Sequence, residues 1–451
     1  MGTCFLHDLL VRKGEMKVAF IQANDMRNAQ FAAPLWPAYL KAYAEQYVQA
    51  SWSVAYNDWD IVKSRPDVLA ISSMSQDWPE AVRLIGVGKA VGARVIVGGH
   101  HVTGTHHSGD GSYEVVHGPG EAAFASILAG ANFGQPGSMD DIPIPDHAFG
   151  RLPGHKPTIM TSRGCAYKCS FCSPKTMWAK IQFHSPRRVV DEMGQIANSF
   201  PGMRRLSIWD DLFAADRSRV AEIHSLMSER GLNLKLNSGM RAELVDANNC
   251  RLWKSMGLTR VGIGGESGSN RILKRLKSKS ASVEQNQRAL DIMHEHGMAV
   301  GTGIIFGSPT ETEADVISTY EWLLANYKKG KLMNHEVNIL NPMPGTPVWH
   351  DAERAGLVSE YGRFDWSRLQ HQSMGFRTEG KYKGSQGWMR LRREDGSVYL
   401  NEDVLPQETL FEMIDYYEKK IRWCSPAQAV RQARNRAEKT VKLIMGIYRA
   451  T

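Results

Sequence analysis

Three cysteines lie within eight residues of this chain, at Cys165, Cys169 and Cys172. A zinc site normally needs a fourth cysteine or histidine at short spacing. The nearest candidate, His184, lies twelve residues further on, and Cys250 is isolated. Three thiolates are enough for an iron–sulfur cluster that leaves one iron open to another ligand. The spacing therefore favours an open iron–sulfur cluster over a zinc site or three unrelated buried cysteines.

The spacing C-x3-C-x2-C, with Phe171 just before the last cysteine, resembles the radical S-adenosylmethionine (SAM) superfamily. The resemblance implies a [4Fe–4S] cluster whose open iron binds the amino and carboxylate groups of SAM. It also implies that one electron, from a donor such as flavodoxin or ferredoxin, splits SAM into methionine and a 5′-deoxyadenosyl radical. In enzymes of this kind the cofactor supplies the difficult chemistry, and the protein orients and shields it.

Further segments that resemble this family follow in order between residues 157 and 357. Residues 264–269 resemble the segment that ends the fourth barrel strand, and residues 303–312 resemble the fifth-strand segment that packs on adenine. Residues 341–347 resemble the turn after the sixth strand. The contacts with SAM that the resemblance implies are Phe171, Asp210, Arg241, Glu266, Ser267, Ile305 and Pro309. Each motif alone would be weak, and the cysteines strengthen all of them.

Strand-like and helical segments alternate along the first part of the chain, which predicts an α/β fold with a parallel, doubly wound (Rossmann-like) sheet. The predicted strands cover residues 17–22, 51–57, 67–73, 94–99 and 113–118. Such sheets bind ligands in loops at the carboxyl ends of their strands. Those loops are residues 72–75, 98–101 and 117–121.

A second series of elements follows a linker rich in glycine, proline and aspartate. Six strand–helix units predict a partial (β/α)6 barrel rather than a closed eightfold one, with the cysteines just after its first strand. The C-terminal region has a predicted hairpin turning at Asp395-Gly396 and a mostly helical, basic tail. The predicted domains are residues 1–130, the linker 131–157, the barrel 158–357 and the C-terminal region 358–451.

The first domain resembles the cobalamin-binding domain of the cobalamin-dependent radical SAM enzymes. The matching segments are residues 95–104 (VIVGGHHVTG) and 115–124 (VVHGPGEAAF). Glycine allows close approach of the backbone to a ligand, and the cobalamin contacts that the resemblance implies are Ser72, Gly98, Gly99, Gly118 and Gly120. The family's Asp-x-His-x-x-Gly motif is missing, and residues 57–60 (NDWD) stand in its place. This departure implies cobalamin without a histidine below the cobalt; a sheet kept only for packing is the alternative.

The resemblance implies a methyltransferase that acts at an unactivated carbon of a small molecule or peptide. A non-methylating cyclisation or rearrangement is a second interpretation within the same family. A third interpretation, from another class, is a non-catalytic corrinoid- or nucleic-acid-binding protein with a structural cluster. A methylthiotransferase or an enzyme with an auxiliary cluster is disfavoured because Cys4, Cys250 and Cys424 are isolated.

Two histidine pairs invite a metal interpretation, His100-His101 and His106-His107. No carboxylate or cysteine beside them would complete a transition-metal shell. We therefore interpret them as polar loop residues that line a cofactor or face solvent.

Charge is distributed unevenly over the 451 residues, whose net charge is +8. Residues 1–150 carry 10 Lys and Arg against 15 Asp and Glu, and the remainder carries 45 against 32. The basic tail, residues 415–451, is most simply a solvated face. In the alternative, it acts with Arg390, Arg392 and Arg393 to attract an anionic substrate, such as a phosphorylated metabolite or an acidic peptide.

The chain has no apolar run of the roughly 18 residues that span a bilayer. Asp8 interrupts the short apolar run near the N-terminus, which is not typical of a secretory signal. We therefore expect a cytoplasmic enzyme with no membrane partner, and we expect no nucleic-acid partner.

Overall fold

A computed structural model describes residues 15–24, 34–152, 155–203, 205–356, 358, 366 and 405–424. The chain forms two compact units. The first comprises the described residues up to Cys165 together with Ser173–Met203. The second comprises Ala166–Cys172 and the described residues from 205 onward. Within the described residues, no helix is both long and apolar enough to cross a bilayer.

The first unit contains a five-stranded parallel sheet. Its strands are β1 (Met16–Gln22), β2 (Ala50–Val54), β3 (Val68–Ser72), β4 (Arg94–Gly98) and β5 (Glu114–Val115), in the order β2-β1-β3-β4-β5. Its helices are α1 (Trp36–Ala44), α2 (Asp58–Ser64), α3 (Trp78–Ala90), α4 (His100–Gly104) and α5 (Glu121–Ala129). This is the predicted doubly wound sheet, in which ligands bind beyond the carboxyl ends of the strands.

Apolar residues on both faces of the sheet explain why helices cover both sides. On β1, Val18 and Phe20 belong to one buried cluster, whereas Ala19 and Ile21 belong to another. Successive side chains of a strand point to opposite faces, so an unbroken apolar strand needs helices on each side.

The remainder of the first unit contains short elements around the end of the linker. They are β6 (Thr158–Ile159), β7 (Ser162–Arg163), α6 (Pro174–Met177), β8 (Gln182–Phe183) and α7 (Pro186–Ser199). Strands β7 and β8 lie before and after the cysteines in the sequence and pair antiparallel. The chain therefore leaves β7, passes through the cysteine segment and returns beside β7 at β8.

The second unit contains the remaining barrel strands, which pair in parallel in chain order. They are β9 (Leu206–Ile208), β10 (Leu236–Met240), β11 (Leu258–Glu266), β12 (Ala299–Phe306) and β13 (Asn334–Ile339). The helices are α8 (Arg217–Glu229), α9 (Ala247–Ser255), α10 (Asn270–Leu276), α11 (Val283–Glu295), α12 (Glu313–Lys328), α13 (Pro347–Arg354) and α14 (Gln407–Cys424). Each of the six predicted barrel strands overlaps an observed strand, and the predicted α/β class is confirmed; the predicted strands are residues 158–162, 205–210, 234–238, 260–265, 300–307 and 336–341.

The C-terminal predictions are tested only in part. Helix α14 agrees with a mostly helical C-terminal region. The predicted hairpin at Asp395-Gly396, the arginines at 390, 392 and 393, and the tail after Cys424 lie outside the described residues.

Candidate active site

Three loops at the carboxyl ends of β3, β4 and β5 are hydrogen-bonded to one another. The Ser73 amide donates to the Gly98 carbonyl at 3.1 Å, which ties the loop after β3 to β4. The Gly118 amide donates to the Thr103 hydroxyl at 3.0 Å, which ties the loop after β5 to α4. The structure thus brings together the loops that carry Ser72, Gly98, Gly99, Gly118 and Gly120. Their contact with cobalamin remains a prediction.

Gly99 is the position in these loops that most clearly requires glycine. Its φ is +102°, in the region that favours glycine. A Cβ there would lie 2.7 Å from the Ser73 carbonyl oxygen and 2.9 Å from its nitrogen. A side chain at residue 99 would therefore push the two loops apart.

The histidines of this region are held by neighbouring side chains. The ring of His101 stacks on Trp78 with centroids 4.1 Å apart, and burial lowers the pKa of His101 to about 3. His107 Nε2 lies 2.6 Å from the Tyr113 hydroxyl. Among the described residues, no three His, Cys, Asp or Glu side chains are grouped as metal ligands would be. His100 and His101 begin helix α4, and His101 is buried, so the interpretation of this pair as loop residues is wrong.

Residues 57–60, which stand where the histidine motif would lie, begin helix α2. The Asn57 side chain caps this helix by accepting a hydrogen bond from the Asp60 amide at 3.1 Å. Asparagine is among the preferred residues at this position. The segment therefore has a local structural role of its own.

A buried ion pair in the first unit joins a glycine loop to the residues just before the cysteines. Arg163 Nη2 lies 2.6 Å from Glu121 Oε1, and both side chains are about 5% exposed. Glu121 begins α5 immediately after Gly120, and Arg163 lies two residues before Cys165. Because both charges are buried, removing either side chain would leave the other as an uncompensated buried charge and would destabilise the fold. Sequence reasoning missed this pair.

The cysteine loop of the second unit is fixed by backbone hydrogen bonds. The Ser170 amide donates to the Leu276 carbonyl at 2.8 Å, and the Val348 amide donates to the Ser170 carbonyl at 3.1 Å. Cys169 and Cys172 are both half-buried, and the Cys172 amide donates to the Cys169 carbonyl at 3.3 Å. The loop therefore has a defined backbone between its two cysteines.

Arg241 follows β10 and lies against this loop, and its predicted contact with SAM is untested. Its Nη1 donates to Cys169 Sγ at 2.9 Å, and its guanidinium lies 3.8 Å from the centre of the Tyr167 ring. Glu243 holds the other edge of the guanidinium at 2.5 Å. Arg241 therefore orients the Cys169 side chain through a hydrogen bond to its sulfur. Tyr167 and Glu243 are further site residues that sequence reasoning missed.

The chemistry of the donor set fits an iron–sulfur cluster. Cysteines 165, 169 and 172 are all half-buried, whereas Cys250 is fully buried in α9 and burial raises its pKa to about 11. Because the described side chains show no grouped metal ligands, the assignment of the three cysteines remains a prediction.

Glu266 ends β11 in an unusual backbone conformation. Its φ is +60°, which non-glycine residues seldom adopt and which often marks functional sites. The carboxylate is 9% exposed and accepts no hydrogen bond from a described residue. Burial raises the pKa of Glu266 to about 7, although Lys277 and Arg241 oppose the shift. A buried, unpaired carboxylate of this kind suits a cationic or hydroxyl ligand.

Two glycines leave space for the Glu266 carboxylate: Gly264 on the same strand, β11, and Gly303 on the adjacent strand, β12. A Cβ at Gly264 would collide with Glu266 Oε1, and a Cβ at Gly303 would lie 3.9 Å from Oε2. Lys277 Nζ donates to the Gly264 carbonyl at 2.7 Å, which holds the strand end in place. Sequence reasoning missed Lys277, because it lies outside the motif.

The Ser267 side chain makes hydrogen bonds within its own loop and to helix α12. Its hydroxyl lies 3.2 Å from Thr319 Oγ1 and accepts a hydrogen bond from the Ser269 amide at 3.1 Å. A Cβ at Gly268 would lie 2.5 Å from the Thr319 Cα. Residues 264–269 are therefore packed against α12, and a contact between Ser267 and SAM remains a prediction.

The segment after β12 is organised by a buried carboxyl group. Glu311 Oε2 accepts hydrogen bonds from the Gly307 amide at 2.6 Å and the Ser308 amide at 3.3 Å. Burial raises the pKa of Glu311 to about 8. Ile305 and Pro309 are both buried beside this turn, and their predicted contact with adenine is untested. Asp210 is also buried, whereas Phe171 is half-buried.

A model of the radical SAM superfamily matches residues 159–323, which include the three cysteines. An uncharacterised methyltransferase of Pyrococcus horikoshii is 26% identical over 335 residues, which cover 66% of this chain and 72% of the relative. The match places a radical SAM domain at residues 159–323 of this chain. The family resemblance drawn from the cysteine spacing is confirmed.

Two further proteins are similar to this chain over most of its length. The bacteriochlorophyllide d C-12(1)-methyltransferase of Chlorobaculum tepidum is 24% identical, over 73% of this chain and 74% of the relative. The radical SAM methyltransferase TsrM from Kitasatospora setae matches with a TM-score of 0.66 at 17% identity, over 89% of each chain. One TsrM structure holds cobalamin and a [4Fe–4S] cluster, and another holds tryptophan and the SAM analogue aza-SAM. At this identity the match shows a shared fold.

The raised pKa of Glu266 predicts how this radical SAM protein binds SAM as pH changes. Glu266 is mostly neutral at pH 6 and mostly ionised at pH 8, because its pKa is about 7. If it pairs with a positive group of SAM, the Kd should fall by about ten-fold between these values. Equilibrium dialysis of the anaerobically reconstituted protein should show this change, and Glu266→Gln should remove it.

The protein without SAM should show the opposite dependence in its stability. The pKa of Glu266 is higher in the folded chain than its ordinary value of 4.5. Its contribution to stability is therefore present below about pH 4.5 and is lost as pH rises through about 7. If Glu266→Gln binds SAM with the same pH dependence as the wild-type protein, then Glu266 does not pair with SAM.

Proposed function

We propose that this chain is a cobalamin-dependent radical SAM methyltransferase that methylates an unactivated carbon of a small molecule or peptide. The observation that carries this proposal is that one chain holds two preorganised parts. One is the cysteine loop with Arg241 on Cys169 Sγ. The other is the set of linked glycine loops at the carboxyl ends of β3 to β5. Relatives that match over about two thirds of the chain or more are methyltransferases.

The cysteines at 165, 169 and 172 would hold the cluster, and residues of the second unit would hold SAM. When bound, these groups supply a carbon radical that removes hydrogen from the substrate, and cobalamin supplies the methyl group. Arg241 would hold the Cys169 sulfur in place through its hydrogen bond. Glu266, held over Gly264 and Gly303, would bind a positive or hydroxyl group of SAM. Buried strand-end residues such as Glu266 and Phe306 would keep water away from the reacting groups.

Residues 1–130 form the proposed cobalamin domain, and residues 158–357 form the proposed barrel domain. Gly99 and Gly118 have positive φ, which favours glycine. These two positions therefore place no side chain in the loops that would contact the corrinoid. A histidine below the cobalt is not part of this proposal, because residues 57–60 (NDWD) contain no histidine. An electron donor such as flavodoxin or ferredoxin would reduce the cluster.

The proposal is tested by anaerobic reconstitution with cobalamin, iron and sulfide, followed by turnover with trideuteromethyl-SAM and dithionite in a metabolite extract. We expect 5′-deoxyadenosine and a product in which one hydrogen is replaced by a trideuteromethyl group. Formation of 5′-deoxyadenosine with an unlabelled product would instead show a rearrangement or cyclisation. Absence of both products in reconstituted protein would contradict an enzymatic role.

A further inference from the structure

The strands of the second unit present glycine where barrels usually present bulky side chains. Opposite residues in the sheet are Gly239, Gly262 and Gly301 in one row, and Gly264 and Gly303 in the next. The interior of a (β/α) barrel is normally filled by branched side chains from such rows. A Cβ at Gly239 or Gly262 would meet no atom within 4 Å. We call the surface formed by these five glycines the glycine face.

Neighbouring residues show that the glycine face lies opposite the helices. On β12, Thr302 alternates with the glycines, and its hydroxyl accepts a hydrogen bond from the Gly265 amide. A Cβ built on Gly265 would lie 3.4 Å from Trp322 of α12, so this side of the sheet faces that helix. Phe306 is fully buried and stacks on Tyr320, also of α12. Because successive residues of a strand point to opposite sides, the glycines point away from these helices.

The adjacent strand, β13, adds polar side chains to the glycine face. His335 points to the helices, since its ring nitrogens lie 2.8 Å from the Tyr327 hydroxyl and 2.7 Å from Glu418 Oε1. Glu336 therefore points the other way, and its strand register places it opposite Gly303. Asn338 follows two residues later on the same side.

The carboxylate of Glu336 has no partner within the part of the chain that the structure describes. It is half-buried and makes no hydrogen bond or ion pair with a described residue. Burial raises the pKa of Glu336, and His335 opposes the shift. The charged residue Arg260 lies on the same side of β11 but two rows nearer the amino ends, about 13 Å away along the strands. A half-buried carboxylate is stabilised by a positive ligand.

A second, independent carboxylate points to a ligand on this face. Glu266 is 9% exposed, has no hydrogen-bond partner among the described residues, and lies over Gly264 and Gly303. A glycine-lined space with an unpaired buried carboxylate over it has the properties of a ligand cavity rather than of a packed core.

We propose that the glycine face is the substrate cavity and that Glu336 pairs there with a cationic amine of the substrate. This inference rests on the proposed function and names its substrate class. Glu266 serves SAM in this assignment, and Glu336 serves the substrate. The amine class also differs from the anionic substrate that the basic C-terminal tail would attract.

The first test identifies the charge of the methyl acceptor. A metabolite extract is separated on ion-exchange resins at pH 7, and each fraction is incubated with the reconstituted enzyme and trideuteromethyl-SAM. We expect the label in a fraction retained by the cation exchanger. Label in an anionic or neutral compound would overturn the amine assignment and leave methyl transfer intact. No label in any fraction would count against the proposed function, and the second test would then decide the inference.

The second test measures binding without turnover. Its probes share an indole ring, the ring of the tryptophan that TsrM binds, and differ in charge: tryptamine is a cation, tryptophol is neutral and indole-3-acetate is an anion. Isothermal titration of the reconstituted protein should show that tryptamine binds about ten-fold or more tightly than indole-3-acetate. Glu336→Gln should abolish this preference, whereas Glu321→Gln, on the exposed side of α12, should preserve it.

Two further variants separate the alternatives. Gly262→Val should weaken tryptamine binding without unfolding the chain, because its Cβ meets open space. If Glu336→Gln weakens SAM binding but leaves the probes unchanged, Glu336 belongs to the SAM site and the proposal is overturned. Equal affinity for the three probes, or binding of none, would also overturn it.

Discussion

Replacing Cys165, Cys169 and Cys172 together by alanine is expected to reduce bound iron from about four atoms per chain to fewer than one. Formation of 5′-deoxyadenosine should then fall below detection, because SAM cleavage requires the cluster electron. Iron analysis and chromatography after anaerobic reconstitution measure the two effects. The expected loss is complete because the prediction assigns one cluster ligand to each of these three cysteines.

The matched control is the double replacement Cys250→Ala and Cys424→Ala. Cys250 is fully buried in α9, so its truncation should lower the free energy of unfolding by about 1 kcal/mol. Iron should nevertheless remain at about four atoms per chain. Iron loss in this variant, or iron retained in the triple variant, would show that other residues ligate the cluster.

Arg163→Leu is expected to destabilise the first unit by about 3–5 kcal/mol. The substitution leaves the Glu121 carboxylate buried without its cation, which is 2.6 Å away in the native chain. It also removes the guanidinium that lies 5.0 Å from the centre of the Trp178 ring. Denaturant unfolding of the anaerobic protein, followed by circular dichroism, measures the change.

Arg83→Leu is the control for this prediction, because it breaks an ion pair in the same unit. Arg83 Nη1 lies 2.6 Å from Asp58 Oδ2, but both side chains are nearly half exposed. An exposed pair contributes about 1 kcal/mol or less. Equal losses from the two variants would mean that burial adds nothing to the Arg163–Glu121 pair. The double variant Arg163→Leu with Glu121→Leu should recover part of the lost stability, because it removes both buried charges.

The effect of Arg163 should extend to cofactor binding. Its backbone leads into Gly164, where φ is +81° and a Cβ would lie 2.8 Å from the Lys180 carbonyl oxygen. A displaced Arg163 would therefore shift the start of the cysteine loop. Reconstituted Arg163→Leu should bind less iron than wild type at a temperature where its fold is still intact.

Much of the fold could be predicted from the sequence, because the information is local. Apolar runs such as residues 17–22 and 94–99 have the length of strands and are separated by helical segments. Their alternation is enough to predict parallel sheets. The largest differences from prediction are at element ends, for example a strand predicted at 51–57 that covers Ala50–Val54. Element ends depend on individual hydrogen bonds rather than on apolar pattern.

The sequence by itself determined the kind of chemistry, since three cysteines within eight residues are close in any fold. It also determined which loops hold glycine. The tertiary structure alone decided which distant residues meet: Arg163 with Glu121, Arg241 with Cys169, and His335 with Glu418. It also decided that Glu336, beside the glycine face, makes no hydrogen bond or ion pair with any residue that the structure describes. Such pairings depend on strand register and helix packing between segments tens of residues apart, and spacing along the chain does not specify them.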